Sequence, residues 1–153
     1  MKRNAFTLIE LIFVIVVLGI LAAVAIPRLG GNIERAQIAK AQGDVAAIRA
    51  SIASARQKML VTGTNAYPTA LDAGVGTGAG VKLFDTNGSI QIMTYPVYSG
   101  SGSGDWIKTA ANSYTFTVVE TPVPFTYTAA TGVFDCTHGS GNQEQIYCSR
   151  ITE

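Results

Sequence analysis

"FTLIELIFVIVVLGILAAVAIP", Phe6–Pro27, is the stretch that decides how this chain is built. Apart from Thr7 and Glu10 it is apolar or small throughout, and Leu11–Ile26 carries no charge. About 21 helical residues rising 1.5 Å each span roughly 31 Å, close to the thickness of a bilayer core. Lys2 and Arg3 precede the stretch and would hold that end in the cytoplasm. Two ordinary readings follow. One is a simple membrane anchor. The other is a secretory signal peptide cut after Ala25, with Ala23-Val24-Ala25 as its small-residue site. That second reading would release a soluble periplasmic binding module starting at Ile26.

Glu10 fits neither reading. A carboxylate inside a membrane segment costs about 2.5–3.5 kcal/mol at the bilayer centre and less toward the end of the helix. An anchor or a signal gains nothing from that cost, so the group points to a cation at similar depth. A cut between Ala5 and Phe6 would create one. The new α-amino group, with an ordinary pKa of about 7.7–8.0, would lie four residues from Glu10 and could pair within its own chain or with a neighbour.

With its short basic leader, this stretch resembles the start of type IV prepilins and type II secretion pseudopilins. The resemblance implies cleavage by a prepilin peptidase between Ala5 and Phe6, N-methylation of Phe6, and an assembly role for Glu10. It also sets Gly19 and Pro27 at the family's helix-breaking positions, where the helix would locally unwind on assembly. Ala5 stands where the family usually has glycine; alanine is the next smallest side chain.

Beyond Pro27, apolar or small residues recur at Ile38, Ala41, Val45, Ile48, Ile52, Ala55 and Met59, spaced alternately by three and four. That is a narrow helical stripe. It predicts one helix from Phe6 to about Val61, roughly 84 Å long, greasy all round at first and amphipathic later. Thr62–Gly88 reads as an irregular connection, with "GVGTGAG" at Gly74–Gly80 too flexible to pack. Strands are expected at Ser89–Tyr98, Asp105–Thr109, Ser113–Glu120, Pro124–Ala129, "VFDC" and Glu144–Arg150, with "TPVP" as a turn. One face would carry Tyr114, Phe116, Val118, Phe125, Tyr127 and Phe134. The expected class is α+β: a leader (1–5), a transmembrane and assembly helix (6–27), an amphipathic helix (28–61) and an antiparallel β head (62–153). The resemblance implies the same pilin-like arrangement, a long N-terminal helix packed on a β-sheet head.

Cys136 and Cys148, behind an export signal, suggest one disulfide in an oxidising compartment, and the resemblance supports a C-terminal staple. A metal site of Cys136, His138 and Cys148 is the alternative, although C-x-H followed by a lone Cys is a poor zinc pattern. The polar loop "THGSGNQEQ" offers few carboxylates for calcium. His138 is the only histidine, and no nucleophile, zinc-helix or phosphate-loop motif is present. No catalytic residue, cofactor or enzyme activity is expected. The net charge of +1 argues against a nucleic-acid partner. "DTNGS", Asp85–Ser89, reads either as an Asn-Gly turn or as a glycosylation acceptor in the longer bacterial form.

By resemblance, the chain is expected to be a structural subunit of a pilus-like or secretion pseudopilus filament. Its partners would be copies of itself, other pilins, the prepilin peptidase and an inner-membrane assembly platform. It would sit in the inner membrane with a periplasmic head, then in a periplasmic or cell-surface filament.

Overall fold

The computed structural model describes residues 7–74 and 76–153, and for residues 25–30 the backbone alone. The long helix is there: α1 runs Leu8–Val61, with Glu10 in its first turn and Lys58 in its last, the polarity its dipole favours. The chain divides into two compact units, Met1–Arg35 and Ala36–Glu153.

In the first unit every described apolar side chain is exposed, from Leu8 through Val24 and again at Ile33. Among the described residues no helix is long and apolar enough to cross a membrane. Within the expected span the described side chains stop at Val24, since residues 25–30 are described by their backbone alone.

In the second unit the stripe is the buried face of α1. Ile38, Ala41, Val45, Ile48, Ile52 and Ala55 are all buried, and only Met59, near the helix end, is partly open. Glycine near the C-terminus does the usual work: Gly63 has φ +86° just beyond the helix.

The stripe packs on a four-stranded antiparallel meander in sequential order: β5 (Trp106–Ala110), β6 (Ser113–Val118), β7 (Thr121–Thr128) and β8 (Val133–Cys136). The expected face is confirmed, with Tyr114, Phe116, Val118, Phe125, Tyr127 and Phe134 all buried, joined by Trp106 and Val123. The rings pack closely, as in the 5.3 Å stack of Phe125 on Phe134. Trp106 Nε1 donates to Asp44 Oδ2 (2.9 Å), and Arg49 Nε donates to the Phe134 carbonyl (3.1 Å). These bonds tie α1 to both edges of the sheet.

Three expectations are corrected. "TPVP" is strand, not turn. Thr117 pairs with Pro122 and Thr115 with Pro124. The Thr117 N–H is spent on the Asp105 carbonyl and its C=O on Gly104 N–H, so its pairing with Pro122 needs no proline donor. Both prolines then aim their missing N–H away from β6, beyond the end of β8, which pairs only with Phe125–Thr128. The turn is instead Val119-Glu120, with Val119 at φ +58°.

"EQIYCSR" is helix, not strand. Helix α2 (Gln143–Thr152) starts at Asn142, whose side chain accepts the Gln145 N–H, while Gln145 Oε1 accepts from Gly141 N–H. Glu144 lies in the first turn and Arg150 in the last. Tyr147, Cys148 and Ile151 form its buried side, and Gln42 Nε2 donates to the Arg150 carbonyl (2.8 Å).

Third, Ser89–Tyr98 is not one strand. The region forms two small ribbons, β1 (Lys82–Leu83) with β4 (Val97–Tyr98), and β2 (Thr86–Asn87) with β3 (Ile90–Gln91). The connection read as irregular also feeds the core: Leu71, Leu83 and Phe84 are fully buried, and the Phe84 ring lies 4.5 Å from Tyr114.

Candidate assembly site and disulfide corner

The expected processing residues Ala5 and Phe6 lie outside the described residues, so their geometry is not part of this structure. Glu10 is described and exposed. Thr7 Oγ1 accepts the Glu10 N–H (3.4 Å), and the Thr7 carbonyl accepts from Leu11 N–H (3.3 Å). "TLIE" therefore has the spacing of a capping box, Thr at the cap and Glu three residues on, a signal the sequence reading passed over. Capping and pairing make different demands. A cap is served as well by Gln at that third position, whereas pairing with an amine needs the charge.

Gly19 lies inside α1, and a Cβ built there meets nothing within 4 Å. A mid-helix glycine costs about 1 kcal/mol against alanine, and no contact among the described residues repays it. Pro27 also lies within α1; its side chain is outside the described set.

At the other end of the chain Cys136 and Cys148 are bonded, with Cα atoms 5.8 Å apart. The bond ties α2 to β8, not a final strand to the meander. Asp135, Cys136, His138 and Cys148 bring their donor atoms within 4.8 Å of one another. The two sulfurs are bound to each other, which leaves Asp135 and His138. Asp135 Oδ1 already accepts from Arg49 Nη2 (3.1 Å) and Cys136 N–H (2.9 Å) and lies 3.1 Å from His138 Nε2. The corner is a hydrogen-bonded brace between α1, β8 and the α2 loop.

A second polar centre was not read from the sequence. Asp72 is fully buried; its Oδ1 accepts from Lys108 Nζ (2.6 Å) and Gly74 N–H (3.1 Å), and its Oδ2 accepts from the Tyr114 hydroxyl (2.6 Å). The carboxylate thus pins the connection to β5 and β6. Burial, reinforced by the bond to Asp72, raises the Tyr114 hydroxyl far above its ordinary value. Burial also pushes Tyr127 up to about 12, and its hydroxyl donates to the Pro68 carbonyl (2.7 Å). Nearby, Gly132 at φ +73° sits against Tyr67, and a Cβ there would lie 2.2 Å from the ring. No other residue fits that turn.

Residues 1–26 match the prokaryotic N-terminal methylation motif. The match spans the whole expected leader and nearly all the apolar stretch. The chain belongs to the pilin and pseudopilin family. It is 40% identical over 68 residues to type II secretion system core protein G of Aeromonas hydrophila, covering 44% of each chain. To a fimbrial protein of Pseudomonas aeruginosa it is 35% identical over 93 residues, 60% of this chain and 58% of that one. To fimbrial protein Q of Moraxella bovis it is 32% identical over 103 residues, 66% of each. The chain spans about half the length of the secretion proteins it matches. No solved structure gives a significant match. The long helix, antiparallel head and C-terminal disulfide are the pilin arrangement.

Proposed function

We propose that this pilin-family chain is a structural subunit of a type IV pilus-like or type II secretion pseudopilus filament, and not an enzyme. The observation that carries the reading is the first half of α1. Thirteen large apolar side chains between Leu8 and Val24 stand exposed around it. Burying each is worth about 1.5–3 kcal/mol, so leaving all in water forfeits on the order of 20–40 kcal/mol. The segment needs lipid, or the same segment of other copies, around it.

Before assembly, Phe6–Pro27 lies in the inner membrane with the head in the periplasm. A prepilin peptidase cuts between Ala5 and Phe6 and the new terminus is N-methylated. An inner-membrane platform then transfers the helix from lipid into a filament core of like helices, in the periplasm or at the cell surface. Lipid contact is exchanged for helix contact at little net apolar cost, so charge decides the register: Glu10 pairs with the Phe6 amine of an adjacent subunit. Gly19 and Pro27 permit local unwinding there, and their cost to helix stability supports that use.

The N-terminal residue of the mature protein tests this reading against cleavage after Ala25. A chain beginning at methylated Phe6 supports the filament; one beginning at Ile26 removes the helix on which it depends.

A further inference from the structure

We propose that Asn87 is an N-glycosylation site, its side-chain amide taking an oligosaccharide from a lipid-linked donor. Asp85-Thr86-Asn87-Gly88-Ser89 has the Asn-x-Ser acceptor and, two residues earlier, the acid of the longer bacterial form. The structure separates the turn reading from the modification reading, because the turn accounts for only part of this pattern. Strands β2 and β3 pair Thr86 with Gln91 and Asn87 with Ile90, leaving Gly88-Ser89 as a two-residue loop. Gly88 takes φ +61°, which explains the glycine. Neither flanking residue is explained by the turn. Asp85 Oδ1 is buried without a hydrogen-bond partner among the described residues, a state a fold does not ordinarily retain without use. The Ser89 side chain is exposed, and no described hydrogen bond involves its hydroxyl.

The site is also reachable. Gly88 and Ser89 are exposed, and a Cβ on Gly88 would meet nothing within 4 Å. The ribbon β2–β3 is a two-stranded sheet of its own, separate from the four-stranded one. So short a hairpin is marginal alone and opens from its exposed Gly88-Ser89 end, while Ile90 of β3 packs against the core. Asn87 Nδ2 donates to one exposed partner, Thr69 Oγ1 at 3.0 Å, and opening the hairpin frees it.

In the transfer, Asn87 Nδ2 forms a bond to C1 of the first sugar and loses one proton. The bond from C1 to the pyrophosphate oxygen of a polyprenyl-pyrophosphate sugar donor breaks, and the lipid pyrophosphate leaves with the electron pair. No oxidant or reductant is needed.

The inference rests on the exported head of the filament reading, and one digest tests the two separately. Full-length protein purified from its own cells is digested with trypsin and mapped by mass spectrometry. The Leu83–Lys108 peptide should be heavier by whole sugar residues, with the attachment at Asn87. Ser89→Ala should abolish the increment while the Thr109–Arg150 peptide keeps its internal Cys136–Cys148 bond, two hydrogens lighter than the reduced form. An unmodified Leu83–Lys108 peptide, a sugar on a hydroxyl residue, or an increment surviving Ser89→Ala overturns the inference. In the same digest a Phe6–Arg28 peptide starting at methylated Phe6 keeps the filament reading intact, and a start at Ile26 refutes that reading instead.

Discussion

Replacing Asp72 by Asn keeps the side chain's shape and removes its charge. In the native head that charge faces the Lys108 ammonium at 2.6 Å, with Lys108 8% and Asp72 0% exposed at the side chain. Breaking a buried pair by removing one partner leaves the other charge uncompensated and costs about 3–5 kcal/mol. Asn keeps one oxygen, which can stay on Gly74 N–H and Lys108 Nζ; its NH2 then faces the Tyr114 hydroxyl, which turns to accept, so these contacts add little to the cost. A domain stable by about 5–15 kcal/mol would lose a large fraction of its margin. At an m-value of about 1.5 kcal/mol/M, a cost near 4 kcal/mol moves the urea midpoint down by about 2–3 M. Trp106 is the only tryptophan and is fully buried, so its fluorescence reports head unfolding in the full chain held in detergent. The double variant Asp72→Asn/Lys108→Met removes both charges and should be more stable than Asp72→Asn alone. A shift below about 0.5 M for Asp72→Asn, or a double variant as weak as the sum of the singles, would refute the ion pair as the pin of this connection.

Three further outcomes are expected. Tyr127 titrates at about 12 in the fold and Tyr114 is raised still further, against an ordinary 10.0, so both favour the fold while protonated. Their stabilisation is whole below pH 10 and falls as pH rises from 10 toward 12; tyrosinate absorbance should show both still protonated just above pH 10, where exposed tyrosines ionise. Reducing Cys136–Cys148, which closes a loop of sequence separation 12, should cost about 3 kcal/mol by the chain-entropy model, read as a lower urea midpoint. Val119→Gly relieves a β-branched residue at φ +58° that is 43% exposed, and glycine retains the N–H donated to Gln37 Oε1. Against the glycine's greater unfolded-state entropy, the net gain should be about 0.5–1 kcal/mol, a melting temperature higher by a few degrees.

Period decided what the sequence could reveal. The three-and-four spacing from Ile38 to Ala55 and the alternations at Ser113–Val118 and Phe125–Thr128 each repeat often enough to show an element and its buried face. Helix α2 escaped because Ile146, Tyr147 and Cys148 form a short apolar run in which helix and strand look alike; the cap at Asn142 and Gln145 was the signal to weigh. "TPVP" was misread because proline normally punctuates, and only the register shows that its missing N–H points to an open edge. Asp72 lay in a polar connection 36 residues from Lys108, a pairing that no local pattern announces. At the assembly end the sequence singled out Glu10 through its misfit with lipid, whereas the Thr7-to-Glu10 cap spacing, equally present in the sequence, stood out only once the Glu10 N–H was seen on Thr7 Oγ1.

Thr7 and Glu10 also supply the sharpest test of the central claim, that Glu10 is held for its charge and pairs with a neighbouring Phe6 amine. Glu10→Gln keeps a capping-competent side chain and deletes the charge. Filaments sheared from cells carrying the wild-type chain or this variant would be counted by electron microscopy, alongside the processed pool left in the membrane. The account predicts a normally cleaved, membrane-retained Glu10→Gln chain with filaments reduced at least tenfold, the loss that one interaction of about 1.4 kcal/mol per subunit already produces. Wild-type numbers of filaments built from Glu10→Gln subunits would contradict it.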